Sequence, residues 1–218
     1  MPARSLKVLA AAALAVGALA GCGGTPKVGT AAVVGGDRIT VRTLDQTVRD
    51  WRAQFRKDPV ANELRSNSPN PPPQLGGDSD SDLRGALTAL INFRVAERMA
   101  DKAGATVNGA DVDQAVWRLK QNGGAESNTL ARGLPRAYTR DFARFLATRD
   151  AVLRKLGGDP ANPLSPATQL AGQRGNELAL TTANGMDIEI NQRYGEFDPK
   201  KLELGPVEYR LSSPDSGI

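Results

Sequence analysis

An apolar stripe runs through Leu83, Leu87, Leu90, Ile91, Val95 and Met99, at spacings of one to four residues. That period puts all six side chains on one face of an α-helix from Leu83 to Ala103, with Gly104 as its stop. A helix of this length is held mainly by burying such a face, because backbone propensity contributes little in water. The rest of the chain must therefore supply partners, and it does so with helices. Leu44, Val48, Trp51 and Phe55 fall on one helical face that ends before Pro59. Asn108 caps a helix with Asp111 in its first turn and Val112, Val116 and Leu119 along it, up to Gly123-Gly124. Trp117 lies beside that stripe. Pro135 opens a long helix to Leu156, with Tyr138, Phe142, Phe145, Leu146, Val152, Leu153 and Leu156 on its buried face and Gly157-Gly158 at its end. Ser165-Pro166 starts a last helix, to about Ala183, that is less apolar than the others.

The strand signals are short and lie at the two ends of this helical array. Ala31 to Val34 and Arg38 to Val41 read as a strand pair across a Gly35-Gly36-Asp37 turn. Met186 to Asn191, M-D-I-E-I-N, alternates in the way of a half-buried strand. Thr43 and Gln46 have the spacing of a capping box at the start of the first helix. Residues 62–82 hold Ser-Pro-Asn-Pro-Pro-Pro, Gly76-Gly77 and alternating aspartates, and read as a flexible loop. The Asp78-Ser-Asp-Ser-Asp82 run is similar to the start of a calcium loop. It has Leu83 where that loop needs glycine and Ala89 where it needs glutamate, so no metal site is expected. The aspartates suit the positive end of the helix dipole.

The amino terminus has its own logic. Arg4 and Lys7 precede thirteen residues, Val8 to Ala20, made only of Val, Leu, Ala and Gly. A spanning helix needs about 20 apolar residues, so this run reads as an export signal. It ends in Leu19-Ala20-Gly21-Cys22, which resembles the lipobox of bacterial lipoproteins. The resemblance implies cleavage between Gly21 and Cys22 and a diacylglyceryl group on the Cys22 sulfur. Cys22 is the single cysteine, so it has no disulfide partner in the chain. Two acyl chains give stable attachment, at about 0.8 kcal/mol per buried CH2. The expected organisation is a signal over 1–21, a lipidated tether over 22–30, a helical domain over 31–204 and a polar tail over 205–218. The expected location is the extracytoplasmic face of the cell membrane.

Composition excludes more than it proposes. The chain has no histidine, which removes a histidine general base, a Ser-His-Asp triad and the common histidine-bearing zinc sites. With Cys22 committed to lipid, no thiolate remains. Without the first 21 residues the chain carries 26 basic against 24 acidic side chains, interleaved along the sequence, so a nucleic-acid partner is not expected. No catalytic constellation, cofactor motif or small-molecule site emerges, and no enzyme activity is expected.

The order of elements carries a second resemblance. Ala31 to Asp45 reads A-A-V-V-G-G-D-R-I-T-V-R-T-L-D, Ala86 to Ala100 reads A-L-T-A-L-I-N-F-R-V-A-E-R-M-A, and Ala105 to Val112 reads A-T-V-N-G-A-D-V. Together with N-Q-R-Y-G-E-F-D at Asn191 to Asp198, they resemble the amino-terminal chaperone domain of the SurA and PrsA foldases, without the parvulin isomerase domain. Gly35-Gly36 stands where that family has Asn-Gly, and Gln192 where related short lipoproteins have proline. The resemblance implies a helical cradle in which early and late strands meet. It also implies ATP-independent binding of unfolded or newly exported proteins, with no prolyl isomerase activity. Trp51, Phe55, Trp117 and Tyr194 are the candidate client contacts, each open to a core-packing reading, and Tyr194 with Arg193 to a strand-capping one. The alternative is an envelope-assembly lipoprotein that docks one dedicated protein partner.

Overall fold

The computed structural model describes residues 28–67 and 79–207. The signal sequence, the Gly21–Cys22 junction and lipidation at Cys22, most of the tether, the middle of the 62–82 loop and the tail from residue 208 lie outside them.

A three-stranded antiparallel sheet joins the two ends of the described chain. β1 (Thr30–Val34) lies at its centre, with β2 (Asp37–Thr40) on one side and β3 (Ile188–Ile190) on the other. Gly35 and Gly36 both have positive φ, 58° and 93°, which closes the β1–β2 hairpin with the right twist. Ala32 pairs with Ile190 and Val34 with Ile188, so the early and late strands meet as expected. β1 is buried almost throughout, while β3 is half-buried.

Seven α-helices make up most of the rest of the described residues: α1 (Val41–Phe55), α2 (Pro59–Ser66), α3 (Ser79–Ala103), α4 (Gly109–Gln121), α5 (Ala125–Ala131), α6 (Thr139–Lys155) and α7 (Pro166–Asn184). The chain is mainly α, as its stripes predict. α3 is the spine: it touches α1, α6 and α7, and α4 in turn packs on α6. Leu87, Ile91 and Val95 of α3 join Leu44, Val48, Trp51 and Phe55 of α1 and the buried face of β1 in the largest core cluster. Val112, Ala115 and Leu119 of α4 meet Phe142, Ala143 and Ala147 of α6 in a second. Met99, Ala100, Ala151 and Val152 form a third beneath α7.

Local chemistry sets the helix ends. Asn108 and Asp111 form a reciprocal capping box, with bonds of 3.1 and 2.9 Å. Ser165 caps α7 ahead of Pro166 at its first position. α3 closes with bonds from Ala105 N to Ala100 O and from Gly104 N to Asp101 O, which satisfy two of its terminal carbonyls. Asp80 and Asp82 sit in the first turn of α3, at the positive end of its dipole.

Several boundaries differ from the sequence reading. β1 starts at Thr30, which the tether was expected to include. The first helix starts at Val41, and its cap is Thr40 rather than Thr43: Thr40 Oγ1 accepts from Thr43 N at 3.0 Å. Val41 is thus a helix residue and not the end of β2. The 62–82 segment is not all loop, because α2 runs through Ser66 and α3 starts at Ser79. Asp58 caps α2 and Pro59 takes its first position, so the proline that ends α1 also opens the next helix. Pro135 does not open α6. It precedes a single 3-10 turn over Arg136–Tyr138, and α6 proper starts at Thr139. α5 and a small hairpin of β4 (Phe197–Asp198) and β5 (Glu203–Leu204) were not foreseen.

Candidate functional site

α6 has two faces with different duties. Phe142, Ala143, Ala147, Thr148, Ala151 and Val152 are buried, whereas Phe145, Leu146, Leu153 and Leu156, expected in the core, are only half-buried. Phe145, Leu146 and Leu153 instead form one wall of a groove of about 710 Å³ between α3, α6, α7 and the β4–β5 hairpin. Val95 and Met99 of α3 and Val152 of α6 form the rest of its apolar lining, with Ala179 of α7 and Leu202 of the hairpin. Its size falls in the range of sites that hold a small ligand.

α7 leaves that space open. Gly172 and Gly175 line the groove, with Asn176 beside them. A Cβ at Gly172 would meet no atom within 4 Å, and one at Gly175 only Leu156 Cδ1 at 3.7 Å. Each glycine costs a helix interior about 1 kcal/mol relative to alanine. No packing contact within the described residues repays that cost at Gly172. The sequence signal was there, as two glycines three apart in a weakly apolar helix, but it gave no sign of what they face.

The rim is polar and mixed in sign, with Arg149, Asp150, Lys201 and Glu203. Asp150 is ion-paired with Arg118 of α4. The Arg149 guanidinium lies 5.8 Å from the Phe145 ring centre, a cation–π contact. Asn92 of α3 ties the hairpin down: its Nδ2 donates to Leu202 O at 3.1 Å, and Leu204 N donates to Thr88 Oγ1 at 3.2 Å. Asn92 Oδ1 is buried and accepts no hydrogen bond from the described residues, although the asparagine lines the groove. A carbonyl left in this way costs about 1–3 kcal/mol. Leu202, next to it, has a φ of 56°, a conformation that costs a non-glycine residue of order 1–3 kcal/mol.

The four candidate contacts divide sharply. Trp51, Phe55 and Tyr194 are 1, 2 and 2 % exposed. They are core residues, and their place as direct client contacts is corrected. Trp51 Nε1 donates to Leu130 O at 2.7 Å, and Arg65 of α2 lies over the Trp51 and Phe55 rings at 5.2 and 5.6 Å. Trp117 is 60 % exposed on α4, outside the groove. Shifted pKa values also lie elsewhere. Burial pushes the Arg65 guanidinium down, against the charge of Asp82. Burial pushes the Tyr194 hydroxyl up; Arg193 counters this, and Asp45 and Asp80 reinforce it. Asp58 is lowered. None of the three lines the groove. Among the described residues there is no group of carboxylates that could hold a metal ion, and no helix is long and apolar enough to cross a membrane.

Compared with known proteins, the chain matches no family model, no curated protein and no solved structure.

Proposed function

We propose that this chain is a lipid-anchored, extracytoplasmic binding module. It holds extended segments of unfolded or newly exported proteins in the groove between α3, α6 and α7, without ATP and without a chemical step. The observation that carries the reading is the groove itself: a wall of Phe145, Leu146, Leu153, Val95 and Met99 with a polar rim, kept open by Gly172 and Gly175. An apolar wall suits client side chains of many kinds. Such binding is weak per contact, because the client loses entropy on being ordered. Two features support a cradle like that of the SurA and PrsA foldases: the order of elements and the pairing of β1 with β3. The lipobox resemblance at Leu19 to Cys22 supports the anchor.

The test is suppression of aggregation of several unrelated unfolded proteins by the mature chain and by its Gly172→Leu variant. The leucine fills the groove from open space, and its expected effect is a loss of client affinity of about tenfold or more, about 1.4 kcal/mol, with the fold retained. Equal activity of the two proteins would remove the groove from the reading. For the anchor, Cys22→Ser is expected to release the protein from membranes or leave it unprocessed, and unchanged retention with normal processing refutes it.

One observation favours the second reading, an envelope-assembly lipoprotein that docks a single partner. Trp117, 60 % exposed, is the kind of aromatic that anchors protein interfaces. One stoichiometric partner recovered by crosslinking in cells, and lost with Trp117→Ala, would select it.

A further inference from the structure

Where the described chain begins, Arg38, Arg42 and Arg193 lie on elements that meet at one end of the sheet. Arg38 Nη2 donates to Val28 O at 3.1 Å, and its Nε to Thr30 Oγ1 at 2.7 Å. Val41 N donates to Gly29 O at 3.0 Å, so Arg42 follows directly at the start of α1. Asn191 donates to Ala31 O and, through Nδ2, to Thr30 O, which brings Arg193 to the same end two residues later. All three arginines are exposed, and none is ion-paired with a carboxylate among the described residues. Elsewhere Arg52, Arg94, Arg118, Arg136, Arg140 and Arg154 each hold an acid. Lys27 precedes Val28 in the sequence, and Val28 is fully exposed. Acids lie here too: Asp45 and Asp80 act on the neighbouring Tyr194 hydroxyl, Glu189 lies across Val33 from Arg38, and Glu97 and Asp141 line a pocket with Arg38.

The length of chain before Val28 says what this end faces. Only six peptide steps separate Cys22 from Val28, about 20 Å when fully extended. Lipid on Cys22 therefore keeps this end, rather than any other, within reach of the headgroups. Arginines near an anionic surface are attracted within about a Debye length, and a fully exposed valine suits the interface.

We infer that the sheet end carrying Val28, Arg38, Arg42 and Arg193 rests on anionic lipid headgroups of the bilayer that holds Cys22. This rests on the lipid-anchor reading, and it adds an orientation that the anchor alone leaves free. Two points, one lipid and one electrostatic, fix a domain on a plane better than a single flexible tether does.

The experiment uses the full lipidated chain in vesicles of phosphatidylcholine alone or mixed three to one with phosphatidylglycerol. The lipid occupies the single native thiol, so a cysteine placed at Gln192 takes a fluorophore uniquely, and a quencher on the lipids reports its distance. Quenching at 192 is expected to be stronger on the anionic vesicles. Arg42→Gln with Arg193→Gln is expected to return it to the neutral level, each arginine shifting the contacting population about fivefold. Arg42→Lys with Arg193→Lys keeps the charge and is expected to keep the quenching. A label at Glu63, beyond the far end of α1, is expected to change little between the two vesicles. Equal quenching on both vesicles, or a glutamine pair that behaves like the native chain, overturns the orientation. The mass of the Cys22 peptide separates the two failures: no diacylglyceryl mass overturns the anchor and the orientation with it, while a lipidated chain with charge-independent quenching overturns the orientation alone.

Discussion

Asp58 and Arg136 are 78 residues apart and form an ion pair, Nη2 to Oδ2, at 3.1 Å. The same carboxylate caps α2 by accepting from Ala61 N at 2.9 Å, and it accepts from Ser127 Oγ of α5 at 3.0 Å. One side chain, 7 % exposed, thus fastens α2, α5 and the turn before α6. α5 has no side-chain cap of its own and only seven residues, too few to stand alone. It is held from outside, by Asp58 through Ser127 and by Trp51 through Leu130.

The joint should show in acid. Burial pushes the Asp58 carboxyl up, but hydrogen bonds from Ala61, Ser127 and Arg136, with the Arg136 charge, outweigh it and leave the pKa below its ordinary 3.8. A carboxylate lowered on folding contributes stability that is fully present above its unfolded value and is lost as pH falls through its folded value. The native chain should therefore lose stability as pH falls below about 4. Asp58→Asn should be less stable at neutral pH by about 1–2 kcal/mol, because the amide keeps the cap but loses the charge-assisted bonds to Ser127 and to Arg136, which retains Glu126. Its acid limb should be shallower than the native one. Urea titrations of both proteins across this pH range measure the difference, and parallel acid limbs would contradict it.

The two tryptophans should part company. Trp51→Phe removes the indole bond to Leu130 O and should cost about 1–2 kcal/mol, and Trp51→Ala about 3–5. Trp117→Ala should stay within about 0.5 kcal/mol, because its side chain is mostly in water. Thermal unfolding of the three variants checks the ranking. A large loss at Trp117 would mean that it packs against more than the described chain supplies.

What could be read in advance depended on how many residues carried each signal. Leu83 to Met99 repeats its stripe over several turns, and α3 follows it. Asn108 with Asp111 is a local device, and it is present as read. Thr40 and Thr43 are alike and three apart, their hydroxyls 2.8 Å from one another; Gln46 at the box spacing points to Thr43, whereas the cap is Thr40. α5 is a seven-residue segment between glycines, too short for a period to show. Pro59 reads as a stop for the first helix, although with Asp58 before it the same proline is a good start. The groove was hidden for a different reason: it exists only where α3, α6, α7 and a hairpin meet. Phe145 and Leu146 carry the same period whether the neighbouring helix closes over them or leaves a gap. The choice between those outcomes is made by Gly172 and Gly175, on another helix.

Gly172→Ala and Gly158→Ala should have opposite signs. At Gly172 a Cβ enters open space in a helix interior, so alanine should raise stability by about 0.5–1 kcal/mol. At Gly158 a Cβ would lie 2.8 Å from Leu153 Cγ and 2.9 Å from Ala171 Cβ, so alanine must push α6 and α7 apart. A loss of about 1–3 kcal/mol is expected there. Denaturant midpoints of the two variants decide this, and a loss at Gly172 would mean that the groove floor is already filled.

Gly195 and Tyr194 test the closing element from adjacent positions. Gly195 has a φ of 95°, and a Cβ there would sit 2.2 Å from Gly205 O, a backbone atom held in place by the bond from Gly205 N to Glu196 O at 2.9 Å. Gly195→Ala should therefore detach the β4–β5 hairpin and cost about 2 kcal/mol or more, from strain and clash together. Tyr194 is 2 % exposed, and its hydroxyl has no hydrogen-bond partner among the described residues. Burying a hydroxyl without a partner costs about 1–3 kcal/mol in proteins. Tyr194→Phe keeps the ring that fills the core beneath β1 and removes only that oxygen, so it should be neutral or stabilising by about 1 kcal/mol. Tyr194→Ala should cost about 3–5 kcal/mol. A phenylalanine variant much weaker than the native chain would show that the hydroxyl finds a partner in solution.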